Sequence, residues 1–186
     1  MQSTALGNQA ARRAVWIALL TGGTIVGSFI FACATPFPAL GALAALHMKR
    51  RDAFALTGIN WAANQIIGYG FLHYPQSLES FAWGAWIGFA ALIATTTAIG
   101  AKSLVRRAGW ATAAVTTFLV AVAAYESVLY AATGFLPSEP GAFGFKIVLY
   151  VVEVNALAFA GLLILQRMGR SAGLTSSRES AVANTV

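Results

Sequence analysis

The sequence predicts an all-α integral membrane protein, a six-helix transmembrane bundle with a short or broken second helix. Of its 186 residues, 58% are hydrophobic and only 10% are charged, and the mean hydropathy is +0.70. Soluble domains carry about 25% charged residues, so most of this surface has to face lipid. The length allows six helices of about 20 residues with short connections and no separate soluble domain.

Apolar runs between charged and turn-forming residues locate the six segments. They are predicted at about 14–34, 36–48, 53–72, 79–101, 108–132 and 143–167. The transmembrane domain therefore covers residues 14–168. Residues 1–13 form a cytoplasmic N-terminal segment, and the polar, Ser-rich residues 169–186 form a cytoplasmic tail whose composition predicts disorder.

The basic residues predict the orientation of the helices. They precede the first segment and follow the second, fourth and sixth: Arg12, Arg13, Lys49, Arg50, Arg51, Lys102, Arg106, Arg107, Arg167, Arg170 and Arg178. The other three connections contain no Lys or Arg, apart from Lys146 just inside the sixth segment. Because cytoplasmic loops are enriched in Lys and Arg, both termini are predicted to be cytoplasmic, in a multi-pass protein of the inner (plasma) membrane.

The first two segments leave alternatives open. Between Arg13 and Lys49 lie 35 residues, slightly too few for two crossings of about 20 residues each. The second segment is therefore either a short helix or a re-entrant hairpin covered by protein. Ala32-Cys33-Ala34 resembles a signal-peptide cleavage site, but the preceding apolar run exceeds the usual length of about 7–15 residues. We expect the first helix to be retained.

Composition and motifs argue against several classes of function. A single cysteine, Cys33, cannot form an internal disulfide or a CxxC metal site. The two histidines, His47 and His73, fall at opposite ends of the segments, which argues against a zinc cluster made by the protein alone. No nucleotide-binding glycine motif is present, and no nucleophile–base pair predicts an enzyme. The net charge of +6 follows from the orientation signals, so binding to nucleic acid is not expected. No cofactor is expected either.

Polar residues at membrane depth are the candidate ligand contacts, because burying them in lipid is costly. Glu126, Lys146 and Glu153 all map to the outer half of the membrane, whereas the inner half is mostly Thr, Gly, Ala and Leu. This asymmetry predicts a polar, aromatic-lined cavity that opens to the outside. The expected ligand-binding residues are Glu126, Glu153, Lys146, His73, Asn64, Tyr69, Trp83 and Trp86.

Each candidate also has a purely structural interpretation. Asn60 and Asn64 are one helical turn apart and can hold helices together. Glu126 and Lys146 can form an ion pair between helices, and tryptophans are enriched at membrane interfaces whatever the function. Glu153, which has no obvious partner except Lys146, is the carboxylate that we expect to line the cavity.

Six short-looped helices with ligand-capable groups on the outer side resemble the substrate-binding component of energy-coupling-factor vitamin transporters. Ala14-xxx-Ala18 matches the small-residue pattern through which members of that family dock onto an energising module. The resemblance covers residues 12–168 as architecture. It implies capture of a vitamin or cofactor-like molecule at the outer face, and a partner face of small residues made of Ala14, Ala18, Gly23 and Gly27.

The solitary cobalamin-specific members of that family ligate cobalt with a soft side chain near the outer surface. By this resemblance, Cys33 or His73 would ligate the cobalt of a bound corrinoid, and the protein alone would hold no metal. The main rival hypothesis is an accessory or assembly subunit of a larger membrane complex, with no ligand of its own. A channel or proton-coupled carrier would need polar residues in both halves of the bilayer, and the apolar inner half argues against it.

Overall fold

The computed structural model describes residues 11–12, 14–23, 35–105 and 107–171, and this part of the chain is helical without a strand. Its six helices are α1 Ala14–Gly23, α2 Phe37–His47, α3 Arg50–Gly70, α4 Leu78–Leu104, α5 Trp110–Ala132 and α6 Phe145–Ser171. Cys33, Gly27 and residues 172–186 of the predicted tail lie outside the described residues.

Three of these helices are long and apolar enough to cross a membrane. They are α4, α5 and α6, with 27, 23 and 27 residues. Large apolar side chains remain exposed on their outer faces, for example Leu119, Leu157 and Ile164. Such surfaces are stable against lipid rather than water, so the predicted membrane protein is confirmed at this level.

Three helices extend beyond the apolar runs that predicted them. Helix α3 begins at Arg50, α4 continues to Leu104, and α6 continues to Ser171. Hydropathy marks the edge of the lipid, but charged residues continue a helix readily, so the helical backbone runs past that edge. The start of α4 is fixed locally, because Ser77 Oγ accepts a hydrogen bond from Ser80 N at 3.2 Å as an N-cap.

Helix α2 lies at the centre of the described structure. Its 11 residues are too few for a complete crossing, which takes about 20, and Phe37 through Leu46 are all buried. It packs against α3, α4, α5 and α6. A helix that is apolar on every side has no face suited to solvent, so the short second segment is enclosed by the others.

Small residues bring these helices close together. A Cβ atom at Gly41 would approach Thr95 Oγ1 to 2.9 Å and Thr95 Cα to 3.3 Å, so α2 meets the backbone of α4 there. Thr95 Oγ1 also shares a hydrogen bond of 2.9 Å with Thr57 Oγ1 of α3. Gly41-xxx-Ala45 in α2 and Gly84-xxx-Gly88 in α4 are pairs of small residues four positions apart. They mark contacts between helices of this chain, and Gly88 faces Trp61 of α3.

The basic residues gather at one end of the structure. Lys102 Nζ at the end of α4 donates to the carbonyl oxygen of Leu46 in α2 at 2.9 Å. Arg167 of α6 lies over the ring of Trp110 at the start of α5, with Cζ 5.6 Å from the ring centroid. We call this the basic end; its basic residues are Lys49, Arg50, Arg51, Lys102, Arg107, Arg167 and Arg170, and Asp52 in the first turn of α3 is a carboxylate at the same end.

Candidate functional site

Aromatic residues join the helices at the opposite end, which we call the aromatic end. Trp83 Nε1 of α4 donates to the carbonyl oxygen of Pro137, in the connection between α5 and α6, at 2.9 Å. Trp86 Nε1 donates to the carbonyl oxygen of Val128 in α5 at 2.8 Å. Tyr130 packs edge-on against Phe143, with centroids 5.7 Å apart. The contacts of Trp83 and Tyr130 hold residues 133–144 against α4 and α5, and the contact of Trp86 joins these two helices directly.

A cavity of about 490 Å³ lies beneath this connection. That volume is typical of sites that enclose small organic ligands, about 300–1,000 Å³. The residues that line it come from α2 to α6 and their connections: Thr35, Phe37, Asn64, Gln65, Tyr69, Tyr74, Pro75, Ser80, Trp83, Gly84, Ile87, Tyr125, Glu126, Leu129, Ala142, Phe143, Ile147, Val151 and Asn155.

Hydrogen-bonded amides and hydroxyls form one wall of the cavity. Asn64 Nδ2 donates to Thr35 Oγ1 at 2.6 Å, and Gln65 Nε2 donates to Asn64 Oδ1 at 3.2 Å. Tyr69 and Ser80 share a hydrogen bond of 3.1 Å between their hydroxyl oxygens. Gly84 also lines this wall, and a side chain there would collide with the Gln65 amide. The wall is therefore ordered by hydrogen bonds within the protein itself.

The opposite wall carries the only charged residue in the described lining. Glu126 of α5 is half-buried, and no Lys, Arg or His is among the lining residues of the described chain. Asn155 of α6 is 2% exposed; its Oδ1 accepts a hydrogen bond from Ala39 N at 3.2 Å, and its Nδ2 donates to the carbonyl oxygen of Val151 at 3.0 Å. Asn155 thus satisfies an N–H group in the first turn of α2 that the helix leaves unpaired.

A second, shallower space of about 460 Å³ lies beside the first. It carries two carboxylates, Glu79 and Glu139, again with no basic residue in its described lining. Trp83, Ala142 and Phe143 line both spaces, so these three residues separate them. We call the second space the acidic vestibule. Like charges around a concave surface concentrate ions of the opposite sign.

The structure brings together four of the residues that the sequence singled out. Asn64, Tyr69, Trp83 and Glu126 all line the cavity. Trp86 lies outside the lining and packs against Phe135, with ring centroids 5.0 Å apart.

The other predicted ligand residues lie elsewhere. Lys146 and Glu153 are exposed on α6 and do not line the cavity. His73 is exposed in the connection between α3 and α4, with a positive φ of 55°. Its neighbours Tyr74 and Pro75 reach the lining, but His73 does not. Cys33 lies outside the described residues.

Helix geometry explains the separation on α6. Ile147, Val151 and Asn155 line the cavity and recur every four residues, so they share one face. Glu153 is two residues from both Val151 and Asn155, and successive residues turn by about 100°. Its side chain therefore leaves the opposite face of the helix, and Lys146, seven residues earlier, shares that outward side.

Several lining residues escaped the sequence-based choice of ligand contacts. Gln65 and Asn155 are also polar residues within apolar segments, but they lie next to or near Asn64 and Glu153, which the sequence analysis favours. Phe143 and Tyr125 are aromatic residues with no distinguishing pattern in an apolar chain. No spacing in the sequence favours Asn155 over Glu153, because apolar residues surround both of them in α6.

The lining fits an organic ligand better than a bare metal ion. In the described part of the chain, no three His, Cys, Asp or Glu side chains are grouped closely enough to hold a metal. The cavity instead combines one carboxylate, several amides and hydroxyls, and aromatic rings, which suit a molecule with both flat apolar surface and hydrogen-bonding groups. No protein-family model, curated protein or solved structure matches this chain.

Proposed function

We propose that this protein is a membrane-embedded binding or uptake component for a vitamin-like or cofactor-like small molecule, without catalytic activity of its own. The ligand is a flat, partly apolar molecule that carries a positive charge or several hydrogen-bond donors. It reaches the cavity through the acidic vestibule at the aromatic end. Among known families, the substrate-binding components of energy-coupling-factor transporters have the architecture that fits this role.

The charge of the cavity is the observation that carries the proposal. Glu126 is the only charged residue in the described lining, and Glu79 and Glu139 stand in the vestibule before it. A partly desolvated carboxylate is costly unless a donor or cation pairs with it. A cationic or donor-rich ligand removes that cost, whereas an anionic ligand adds repulsion.

The distribution of basic residues supports an outward-facing cavity. If all six helices belong to a transmembrane bundle, the basic end lies in the cytoplasm, and the aromatic end with its cavity faces outside the inner membrane. We expect reporters fused at both termini and at Lys49–Arg51 to be cytoplasmic, and reporters at Pro75 or Ser138 to be external. A reporter on the external side at Lys49–Arg51 would contradict this topology.

The decisive experiment compares two carboxylates. The ligand is first identified. Native mass spectrometry of the protein purified in a mild detergent is expected to reveal a co-purified small molecule. Thermal-shift screening of cationic, neutral and anionic aromatic compounds then defines the chemical class of the ligand. Glu126→Gln is expected to weaken binding about 10- to 100-fold, since hydrogen bonds to charged groups contribute about 1.5–3 kcal/mol.

Glu153→Gln is the matched control, because it removes the same charge from the outward face of α6. It is expected to leave ligand affinity unchanged. Equal losses in both variants would show a general effect of charge, and a preference for anionic compounds would overturn the proposed ligand class.

A corrinoid is a more specific candidate within this proposal. A complete corrinoid is larger than the 490 Å³ cavity, so part of it would occupy the vestibule; His73 precedes Tyr74 and Pro75, which line the cavity. Purified protein mixed with cobalamin should then show a shifted visible spectrum. Loss of the shift in His73→Ala or in Cys33→Ala would identify the cobalt ligand, and an unchanged wild-type spectrum would eliminate this candidate.

An accessory role in a larger complex is the second candidate. Ala14 and Ala18 are exposed on α1, whereas Trp16 and Leu20 between and beyond them are buried. An exposed pair of small residues allows another helix to approach closely. This role predicts that the purified protein binds no small-molecule ligand, that Ala14→Leu with Ala18→Leu lowers cellular activity, and that Glu126→Gln leaves cellular activity unchanged.

A further inference from the structure

The basic end contains a small cavity that the binding role at the aromatic end does not use. It has a volume of about 230 Å³ and lies where the end of α2, the start of α5 and the end of α6 meet. The residues that line it are His47, Trp110, Leu163, Gln166, Arg167 and Arg170. If α5 and α6 cross a membrane, this cavity lies near the level of the lipid headgroups.

The charge of this cavity is the reverse of that at the aromatic end. Arg167 and Arg170 bring two guanidinium groups, and no carboxylate is present in its described lining. Stacking on Trp110, with Cζ 5.6 Å from the ring centroid, orients the Arg167 guanidinium. Guanidinium groups bind phosphate through paired hydrogen bonds, and basic pockets between membrane helices accept phosphorylated headgroups.

A buried amide provides an independent observation in the same cavity. Gln166 is only 4% exposed, and its Oε1 has no hydrogen-bond partner within the described part of the chain. Buried polar atoms are nearly always paired, by the protein, water or a ligand. Because this oxygen is an acceptor, it needs a hydrogen-bond donor, and the phosphate group of a diester alone has none.

We propose that this cavity binds a phosphate ester that carries a hydrogen-bond donor close to its phosphate. The guanidinium groups of Arg167 and Arg170 bind the phosphate oxygens, and Gln166 Oε1 accepts a hydrogen bond from the neighbouring hydroxyl or ammonium group. Phosphatidylglycerol, phosphatidylethanolamine and soluble glycerol phosphate share this chemistry. Phosphatidylcholine is the matched negative probe, because its quaternary ammonium group has no N–H to donate.

The first measurement needs no variant. Full-length protein, purified and delipidated in a neutral detergent, is titrated separately with phosphatidylglycerol, phosphatidylethanolamine, phosphatidylcholine and glycerol 3-phosphate, and bound species are counted by native mass spectrometry. The two donor-bearing lipids are expected to bind about tenfold more tightly than phosphatidylcholine, the ratio that one hydrogen bond typically provides. Equal affinity for all three lipids, or no binding, would overturn the proposal.

The soluble ester distinguishes the two sources of the ligand. Binding of glycerol 3-phosphate with an affinity similar to that of the lipids would support the site and identify it as one for soluble phosphate esters. Binding of the lipids alone would support the site and identify it as a headgroup site. Neither result depends on whether the aromatic end binds a ligand, so this proposal and the proposed function can fail separately.

Two variants separate phosphate binding from donor recognition. Arg167→Gln combined with Arg170→Gln is expected to weaken binding of both donor-bearing lipids at least about tenfold, by removing the charge-assisted hydrogen bonds. Gln166→Leu retains the approximate side-chain volume and is expected to abolish the preference over phosphatidylcholine while leaving phosphate binding intact. A preference that persists in Gln166→Leu would contradict the role of the amide.

The control removes two charges from the same end but outside the cavity. Arg50 and Arg51 are exposed at the start of α3 and do not line the cavity. Arg50→Gln combined with Arg51→Gln is expected to change lipid affinity less than about twofold, because charges outside the cavity act on the phosphate only through attraction that salt screens and not through direct hydrogen bonds. A loss as large as that of the Arg167 and Arg170 variant would show non-specific attraction to the basic end and would overturn the site.

Discussion

The aromatic end and the basic end of this protein are built from the same helices but have opposite chemistry. At the aromatic end, Glu126 is the only charged residue that the described part of the chain contributes to a cavity of about 490 Å³. At the basic end, Arg167 and Arg170 face a cavity of about 230 Å³ without a carboxylate in its described lining. Tryptophan indoles support both ends, so aromatic residues alone do not distinguish a binding site from an interface. The sign of the charge that lines each cavity does distinguish them.

Two asparagines that lie one turn apart on the same face of α3 also differ in role: one makes only structural contacts and the other faces the cavity. Asn60 is 3% exposed, and its Nδ2 donates both to Thr21 Oγ1 at 3.1 Å and to the carbonyl oxygen of Leu56 at 3.0 Å. Asn64, one turn later, lines the cavity. The first asparagine holds helices together and the second faces the cavity, although both have the same sequence signature.

Helix α2 connects the two ends, so disturbing it should affect both. Gly41→Leu places a large side chain against the backbone of Thr95, where even a Cβ would approach Cα to 3.3 Å. We expect a loss of about 3 kcal/mol in unfolding free energy, at the upper end of the cost of overpacking. Unfolding in mixed micelles, followed by circular dichroism, measures this loss.

Gly100→Leu is the control for that variant. A Cβ at Gly100 meets no atom within 4 Å, and the residue is exposed on α4. The protein should keep its stability and both binding activities. If Gly41→Leu is equally well tolerated, α2 is not the packed centre that links the two ends.

Asn155→Leu should affect the aromatic end alone. It leaves the buried N–H of Ala39 without its acceptor and removes an amide from the cavity wall. We expect about 2 kcal/mol of destabilisation, within the range for an unsatisfied buried group, with loss of small-molecule binding. Headgroup selectivity at the basic end should remain.

The neighbouring Ala156→Leu adds volume at an exposed position of α6 and should be neutral in the same unfolding and binding measurements. Wild-type stability in Asn155→Leu would show that the hydrogen bond to α2 contributes nothing. Loss of headgroup selectivity in that variant would show that the two ends are not independent.

Trp83→Phe should produce the smallest effect, confined to the connection above the cavity. It removes the hydrogen bond to the carbonyl oxygen of Pro137 but keeps an aromatic ring, a change worth about 1 kcal/mol. Hydrogen exchange in residues 133–144 should accelerate while the global unfolding free energy stays nearly constant. Trp110→Phe at the basic end is the control and should leave hydrogen exchange in residues 133–144 unchanged. Equal acceleration of exchange in both variants would contradict a local role for Trp83.

The sequence by itself determined the helical class, the apolar helices α4 to α6 and the shortness of the second segment. Each of these depends on a sum over adjacent residues, such as a run of about 20 apolar residues or the 11 residues of α2 between Pro36 and Met48. The sequence also predicted that the basic residues gather at one end. They lie in every second connection, and because successive helices alternate in direction, every second connection lies at the same end.

Only the tertiary structure decided which polar residues face the cavity. Glu126 and Glu153 are both single carboxylates in apolar helices, and the sequence-based choice preferred Glu153. Where lipid covers one side of a helix and protein the other, both sides are apolar, so periodicity does not reveal the inward face. The rotation of α6 is set by its contacts with other helices, including the hydrogen bond from Ala39 N to Asn155, and that rotation directs Asn155 inward and Glu153 outward.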